Sequence, residues 1–339
     1  RLGNYQKALT LLEQALALTR TTTSRFEEAD TLTTLGHVYW NQGRLDQAKQ
    51  HLQDALDIQR DINHRRGEAG ALNALGAIHS ETGDYVTAAQ YSESVLEICR
   101  DIGYRQGETI ILRNLGADHN DLGNYGAAQL YLLQAQESCQ EINDQWGVAI
   151  SLDTLGLVEN GLGNLEQARA YHEQALALQQ AIGDQDGLGY TYTHLGHTLS
   201  ALEQWAGAAE AYGQAAVIRE QLTQAALNVD NFAGLAHVYA QQGLLAEAEE
   251  KMGQALTYLA ENGINGVEYP ILAYWHCYLA AVLLNLDGET APQGYAAQAL
   301  LEQAHDLLSK RAENIKSDFV RQQFLTNVPY HRAIMEAVG

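Results

Sequence analysis

The pair Leu-Gly recurs at a fixed interval of 40 residues, as Leu35-Gly36, Leu75-Gly76, Leu115-Gly116, Leu155-Gly156 and Leu195-Gly196. Leu235-Ala236 keeps the beat with Ala in the second place. A single globular core has no reason to reuse one spacing so strictly. A stack of like helical units does, because each must bury the same face against its neighbour. Seven residues after each small residue comes Gly43, Gly83, Gly123, Gly163 or Gly243, with Glu203 as the exception. Five further on stands Ala48, Ala88, Ala128, Ala168, Ala208 or Ala248.

Apolar and small residues extend both phases at helical spacing, as in Ala29, Leu32, Leu35, Gly36 and Tyr39, or Ala48, Leu52, Ala55 and Leu56. Each unit therefore reads as helix A, a tight turn, then helix B. The Gly after helix A suits a C-terminal cap at positive φ. The Gly within helix A lets the two helices approach closely, so filling Gly76 with Leu is expected to cost ~1–3 kcal/mol by overpacking.

The run Leu32-x2-Leu35-Gly36-x2-Tyr39, then Gly43, then Ala48-x3-Leu52-x2-Ala55, resembles the tetratricopeptide repeat. HEAT and armadillo arrays share the period but lack the Leu-Gly-x2-Tyr spacing. The resemblance implies an all-α fold, a right-handed α-solenoid of helix-turn-helix repeats closed by a C-terminal capping helix. The array is expected over 1–312: a half repeat at 1–20, then units near 25–62, 66–102, 106–142, 146–182, 186–222, 226–262 and 267–312. Residues 313–339 would form the cap. The 40-residue unit resembles the MalT-like sensor domains of bacterial STAND signal-transduction ATPases, and also Gα-regulatory and kinesin light-chain scaffolds.

Both ends depart from the rhythm. Gly3-Asn4-Tyr5-x2-Ala8 matches Gly123-Asn124-Tyr125-x2-Ala128 at the start of a helix B, so its helix A is missing and Leu9, Leu12 and Leu16 are expected to lie uncovered. That reads as a fragment of a larger protein, with self-association through the first helix as a consequence. Near the other end, Leu279-Ala280 is displaced, and an insert surrounds Gly288 to Pro292. Pro270, Pro292 and Pro329 are each placed at the first turn of a helix. Ile315, Phe319 and Phe324 then supply the bulky face expected of a capping helix. The run Arg321-x2-Phe324-Leu325-x-Asn327-Val328-Pro329-x-His331-Arg332 resembles the closing segment of bacterial regulators that end in such repeats, including STAND and adenylate-cyclase-linked proteins.

Charge narrows the partners. With 42 acidic against 20 basic residues the formal net charge is −22, which disfavours nucleic acid and anionic membranes. No apolar run approaches the roughly 20 residues of a spanning helix. The three cysteines, Cys99, Cys139 and Cys277, read as buried side chains, and a cytoplasmic setting is expected.

In tetratricopeptide arrays the concave groove is lined mainly by helix A. Carrying that register over places Asn73, Arg113, Asp153 and Thr193 three residues before the small residue and Tyr190 six before. His197 and His237 fall one after, and Asn120 and Asn160 four after. These nine residues are the candidate partner-binding set. Asn can bond both edges of an extended peptide, and Arg113 suits a carboxylate or phosphate. His194 and His197 lie one turn apart with His237 in the next unit, too few ligands to read as zinc, so no metal site is assigned. His194, His79 and His119 read as packing residues.

No phosphate loop, nucleophile elbow or metalloprotease helix is present, so no catalytic residue and no cofactor is assigned. Two functions stay open. One is a sensor whose array binds a small inducer, a protein, or another domain of its own polypeptide within a larger bacterial signalling or transcription regulator. The other is a stand-alone scaffold that docks an extended or helical peptide in the groove.

Overall fold

Helices begin every 20 residues along most of the chain because a turn in the left-handed region recurs every 20 residues. Among the described residues, Thr23, Gly43, Asn63, Gly103, Gly123, Asn143, Gly163, Gly183, Glu203, Thr223, Gly243 and Gly263 have φ between 54° and 82°. The following N–H then closes the helix end: Arg44 donates to the Tyr39 carbonyl (2.9 Å), Asn124 to His119 (2.8 Å) and Leu244 to Tyr239 (2.9 Å). Glu203, the exception in sequence, adopts φ 58° all the same.

The computed structural model describes residues 2–82, 84–286 and 295–339, with side chains from residue 7 onward. Gly83, Pro292 and the insert at 288–292, read above as a turn, a helix start and a loop, lie outside the described residues. The described residues form α-helices, with no strand, in successive packed pairs, which is an all-α solenoid. They are α1 (Leu2–Thr22), α2 (Arg25–Asn41), α3 (Leu45–Asp61), α4 (Arg65–Glu81), α5 (Tyr85–Asp101), α6 (Arg105–Asp121), α7 (Tyr125–Glu141), α8 (Gln145–Leu162) and α9 (Leu165–Ile182). Then come α10 (Gln185–Ala201), α11 (Trp205–Gln221), α12 (Asn228–Gln241), α13 (Leu245–Asn262), α14 (Pro270–Leu283), α15 (Ala297–Asn314), α16 (Asp318–Asn327) and α17 (Pro329–Val338). Even-numbered helices from α2 to α14 are the A helices. The chain divides into a first unit, residues 1–115 with 314–317, and a second, residues 116–313 with 318–339.

In the first unit, Ala29, Leu32 and Leu35 of α2 meet Ala48, Leu52 and Ala55 of α3, all buried. Each turn into an A helix carries a clasp. Glu28, Glu68 and Glu108 are buried, and each accepts from two arginines: Arg20 and Arg25, Arg60 and Arg65, Arg100 and Arg105. Asp84 caps α5 and accepts from Lys316 at 2.5 Å, and this bond to the ammonium holds its carboxyl down at about 2. The uncovered face expected on α1 is not where the sequence put it. Leu9 and Leu16 are buried against α2, because a helix B packs on the helix that follows it as well as the one before. The exposed leucines of α1 are Leu11 and Leu18.

In the second unit the small residue of helix A faces a side chain sixteen positions on. A Cβ on Gly116 would stand 2.4 Å from Leu132, one on Gly156 2.4 Å from the His172 ring, and one on Gly196 2.6 Å from the Tyr212 ring. Ala236, in the same place, shares a buried cluster with the unbranched Met252. Pro270 and Pro329 open α14 and α17 as expected. The bulky face expected at the end splits, because the helix breaks at 315–317 and restarts at Asp318. Ile315 and Phe324 are buried, but Phe319 is 70% exposed. The closing segment is thus two short helices, locked by the neutral His331, whose Nδ1–H donates to the Phe324 carbonyl at 2.8 Å.

Candidate functional site

Side chains three residues apart on a helix share a face, so the positions one and four after each small residue line one wall where A helices lie side by side. In the second unit Asn120, Asn160, His197 and His237 meet on that wall around a cavity of about 450 Å³. Tyr269 and α14 supply its end, through Trp275 and His276, and Tyr330 of α17 closes it. The α16–α17 junction is pinned there: Asn327 Nδ2 donates to the Gly123 carbonyl at 3.0 Å, and the Tyr125 hydroxyl donates to the Asn327 carbonyl at 3.5 Å. Gly123 permits this approach, since a Cβ there would stand 2.8 Å from Asn327. The volume suits a small molecule or a few side chains.

Three imidazoles face one another in the cavity wall. His276 lies 5.6 Å from His197 and 5.6 Å from His237, ring centre to ring centre, stacked on the latter at 17°. Burial pushes His197 down to about 3 and His237 to about 4, and it carries His276 well below the ordinary value, so all three are neutral. One nitrogen of His197 is taken by the Tyr212 hydroxyl at 2.8 Å, and the Gln241 amide donates to His237 Nε2 at 3.2 Å. The other nitrogen of each, His197 Nε2 and His237 Nδ1, and also His276 Nδ1, is buried with no hydrogen-bond partner among the described residues.

Beneath Tyr269 lies a charged cluster. His172 and His194 each donate Nδ1–H to one oxygen of Asp153, at 2.7 and 2.8 Å. His194 Nε2 reaches the Tyr269 hydroxyl (3.2 Å) and Glu268 (3.4 Å). Burial opposes charge on His194, but the Asp153 and Glu268 carboxylates outweigh it and raise its pKa to about 10. Burial opposes charge on Asp153 too, but His194 and His172 outweigh it and hold its carboxyl well below the usual range, while burial keeps His172 neutral. Asp230 goes the other way: burial and the nearby Glu268 charge raise it to about 8, although the Glu268 and Tyr269 N–H groups donate to it at 3.3 Å. A second cavity, of about 380 Å³, is lined by Asp153, Tyr190 and His194 and shares Asn120 and Tyr269 with the first.

Of the nine candidate residues, Asn120, Asn160, His197 and His237 line the first cavity, and Asn120, Asp153 and Tyr190 the second. Asn73 and Arg113 belong to the first unit, where Asn73 is half-buried and Arg113 is buried. Thr193 is buried too, its hydroxyl donating to the Gly189 carbonyl (3.0 Å) or the Asn231 side chain (2.8 Å). Asp153 is held by two imidazoles. His194, read as a packing residue, is the cation at the centre of the cluster. The register did not identify His276, Tyr269 or Tyr330, which lie past its last regular unit, or His172. The signal for His172 was its place where Leu52 and Leu132 stand in sister units. Among the described residues no group of three or more His, Cys, Asp or Glu is placed to hold a metal ion, and no helix is long and apolar enough to cross a membrane.

Solved structures with the same fold share little sequence. A Rap protein complexed with Competence and Sporulation Factor superposes with a TM-score of 0.58 at 15% identity, covering 99% of this chain and 97% of that one. A Signal Transduction ATPase with Numerous Domains from Pyrococcus horikoshii, which carries a tetratricopeptide repeat sensor, gives 0.59 at 17% identity over 88% of this chain and 45% of that one. BtubC from P. vanneervenii gives 0.58 at 19% identity over 65% and 92%. No curated protein is similar enough in sequence to be matched. The tetratricopeptide repeat family model matches residues 1–61, 67–141 and 147–221. With more than half of its length so matched, and helix pairs repeating on the same 40-residue beat, the chain belongs to the tetratricopeptide repeat family.

Proposed function

We propose that this chain is a non-catalytic, partner-binding sensor array, the ligand-reading part of a larger cytoplasmic signalling or transcription regulator of bacterial type. The observation that carries the reading is the convergence of Asn120, Asn160, His197 and His237, from successive A helices, on one concave wall of the second unit. Side chains free of packing duty there differ from unit to unit and offer hydrogen bonds to a bound segment. The likeness to a STAND protein with a repeat sensor, matched over only 45% of its length, agrees with a reading part joined to other domains.

One observation favours the stand-alone scaffold. The Rap protein solved with Competence and Sporulation Factor is matched over 97% of its own length. In both readings a protein or peptide segment is bound. Panning a phage-displayed random dodecapeptide library against the chain tests this. Enriched peptides are expected to bind with micromolar dissociation constants and to weaken about tenfold in Asn160→Ala and Asn120→Ala, at unchanged helicity. Peptides that bind all three proteins equally, or no enrichment, would refute it.

A further inference from the structure

We infer that the 450 Å³ cavity of the second unit is a binding site for an uncharged aromatic ring bearing a hydroxyl group, a phenol. This deepens the reading of that unit as the ligand-binding part and rests on it.

Shape points to a ring. The space is lined by the aromatic residues Tyr269, Trp275, Phe324 and Tyr330, which favour a planar apolar body in offset or edge contact. Polarity points to a hydroxyl. Three buried imidazole nitrogens, on His197, His237 and His276, have no partner among the described residues, and His237 and His276 are each only 8% exposed. Leaving such atoms unpaired is costly in a buried site, so they mark where a ligand's polar group belongs. A neutral imidazole offers an N–H or a lone pair according to its tautomer. A hydroxyl both donates and accepts, so it satisfies neighbouring imidazoles whichever nitrogen holds the proton.

Charge excludes the alternatives. Burial keeps the three imidazoles neutral. The charged groups of the wall face opposite charges: Asp121 lies 3.9 Å from Arg311, and Glu268 3.4 Å from His194. Neither an anion nor a cation would find a free counter-charge to offset its desolvation.

A phenol can arrive as a free small molecule or as a tyrosine side chain of a bound segment, and two probes separate these sources. Calorimetric titration with p-cresol tests the free molecule, and N-acetyl-L-tyrosinamide tests the side chain. The matched compounds without hydroxyl are toluene and N-acetyl-L-phenylalaninamide. At least one phenol is expected to bind saturably and about tenfold or more tighter than its match, because a site built to pair a hydroxyl rejects the analogue lacking it. His237→Phe and His276→Phe, which keep a ring of similar size, are expected to erase that preference. Should either variant fold poorly, the imidazole ¹⁵N resonances of His197, His237 and His276 in the wild-type chain provide the second readout, and they are expected to shift on adding the phenol. Equal binding of phenol and match, no saturable binding, or unmoved imidazole resonances would each overturn the inference. Panned peptides that still bind in that case leave the partner-binding reading standing, while phenol binding without peptide binding refutes the partner reading alone.

Discussion

Gly116→Ala and Gly76→Ala are one substitution at one repeat position, and the geometry separates them. A Cβ on Gly116 would lie 2.4 Å from Leu132 Cγ and 2.6 Å from Cδ2, in a site where Leu132 is fully buried. A Cβ on Gly76 meets Tyr91 Cβ at 3.2 Å and the Ala88 carbonyl at 3.5 Å, because Ser92 stands where Leu132 does. Both substitutions gain about 1 kcal/mol of helix propensity. The crowding at Gly116 costs about 1–3 kcal/mol, since a branched side chain must leave its rotamer. At Gly76 a shift of a few tenths of an ångström suffices. Gly116→Ala is therefore expected to lose about 1 kcal/mol, and Gly76→Ala to gain up to about 1 kcal/mol. Urea unfolding followed by circular dichroism at 222 nm reads this as midpoint shifts of opposite sign at unchanged slope. Placing Gly116→Ala on a Leu132→Ala background removes the obstacle and is expected to make the substitution stabilising. If Gly116→Ala proves at least as stable as Gly76→Ala, or keeps its sign beside Leu132→Ala, helix approach is not limited by the small residue and the packing argument fails.

Two further outcomes follow from backbone and charge. Glu203 adopts φ 58°, at the turn position where Gly43, Gly123, Gly163 and Gly243 also have positive φ. Glu203→Gly is expected to raise stability by about 1 kcal/mol, read as a higher urea midpoint, and Gly163→Ala to lower it by a similar amount. His194 has its folded-state pKa raised to about 10 from 6.5. The stability it contributes is thus fully present below pH 6.5 and is lost as pH climbs towards 10. Asp230, raised to about 8 from 3.8, acts in the same direction, its contribution lost as pH climbs from 3.8 towards 8 and unchanged above that. Stability should fall by a few kcal/mol from pH 6.5 to 10, each group losing at most roughly 1.4 kcal/mol for every step of one in pH. Asp153→Asn, which removes the carboxylate between His172 and His194, is expected to flatten that slope; an unchanged slope would mean that His194 is not the group responsible.

The helix order was legible because it is written in the backbone's needs. Gly36, Gly43 and Ala48 recur for reasons of close approach and positive φ, and those reasons are local to one helix pair. The shared face of Asn120, Asn160, His197 and His237, which line one cavity, was legible from their positions one and four after the small residue, whereas Asn73, Arg113 and Thr193 line neither cavity. What closes the cavity was not legible. Asn327 reaches Gly123 across 204 residues, through a segment where the repeat has stopped. Phe319 was misread because its spacing to Ile315 and Phe324 is helical, whereas the helix breaks between Asn314 and Asp318. The arginine-glutamate clasps were written as Arg20, Arg25 and Glu28 and repeated 40 and 80 residues on, but only coordinates bring Arg20 across the turn to Glu28.

The position that faces the small residue also shows where cohesion yields to another demand. Leu52 and Leu132 fill it with apolar bulk against Gly36 and Gly116. In the next two units the same place holds His172 and Tyr212, both fully buried, over Gly156 and Gly196. Burying a polar group costs free energy unless it is hydrogen-bonded, a cost that leucine does not carry. Both polar residues instead hold side chains that line the cavities, Asp153 and His197. His172 fixes Asp153, which with Glu268 holds the His194 proton beneath Tyr269. Tyr212 occupies one nitrogen of His197, whose other nitrogen is buried with no hydrogen-bond partner among the described residues. The glycine at each step gives a ring the room that an alanine would take. The backbone repeat thus stays uniform while its knobs change chemistry, to Ser92 opposite Gly76 and to His172 and Tyr212 beside the side chains that line the two cavities.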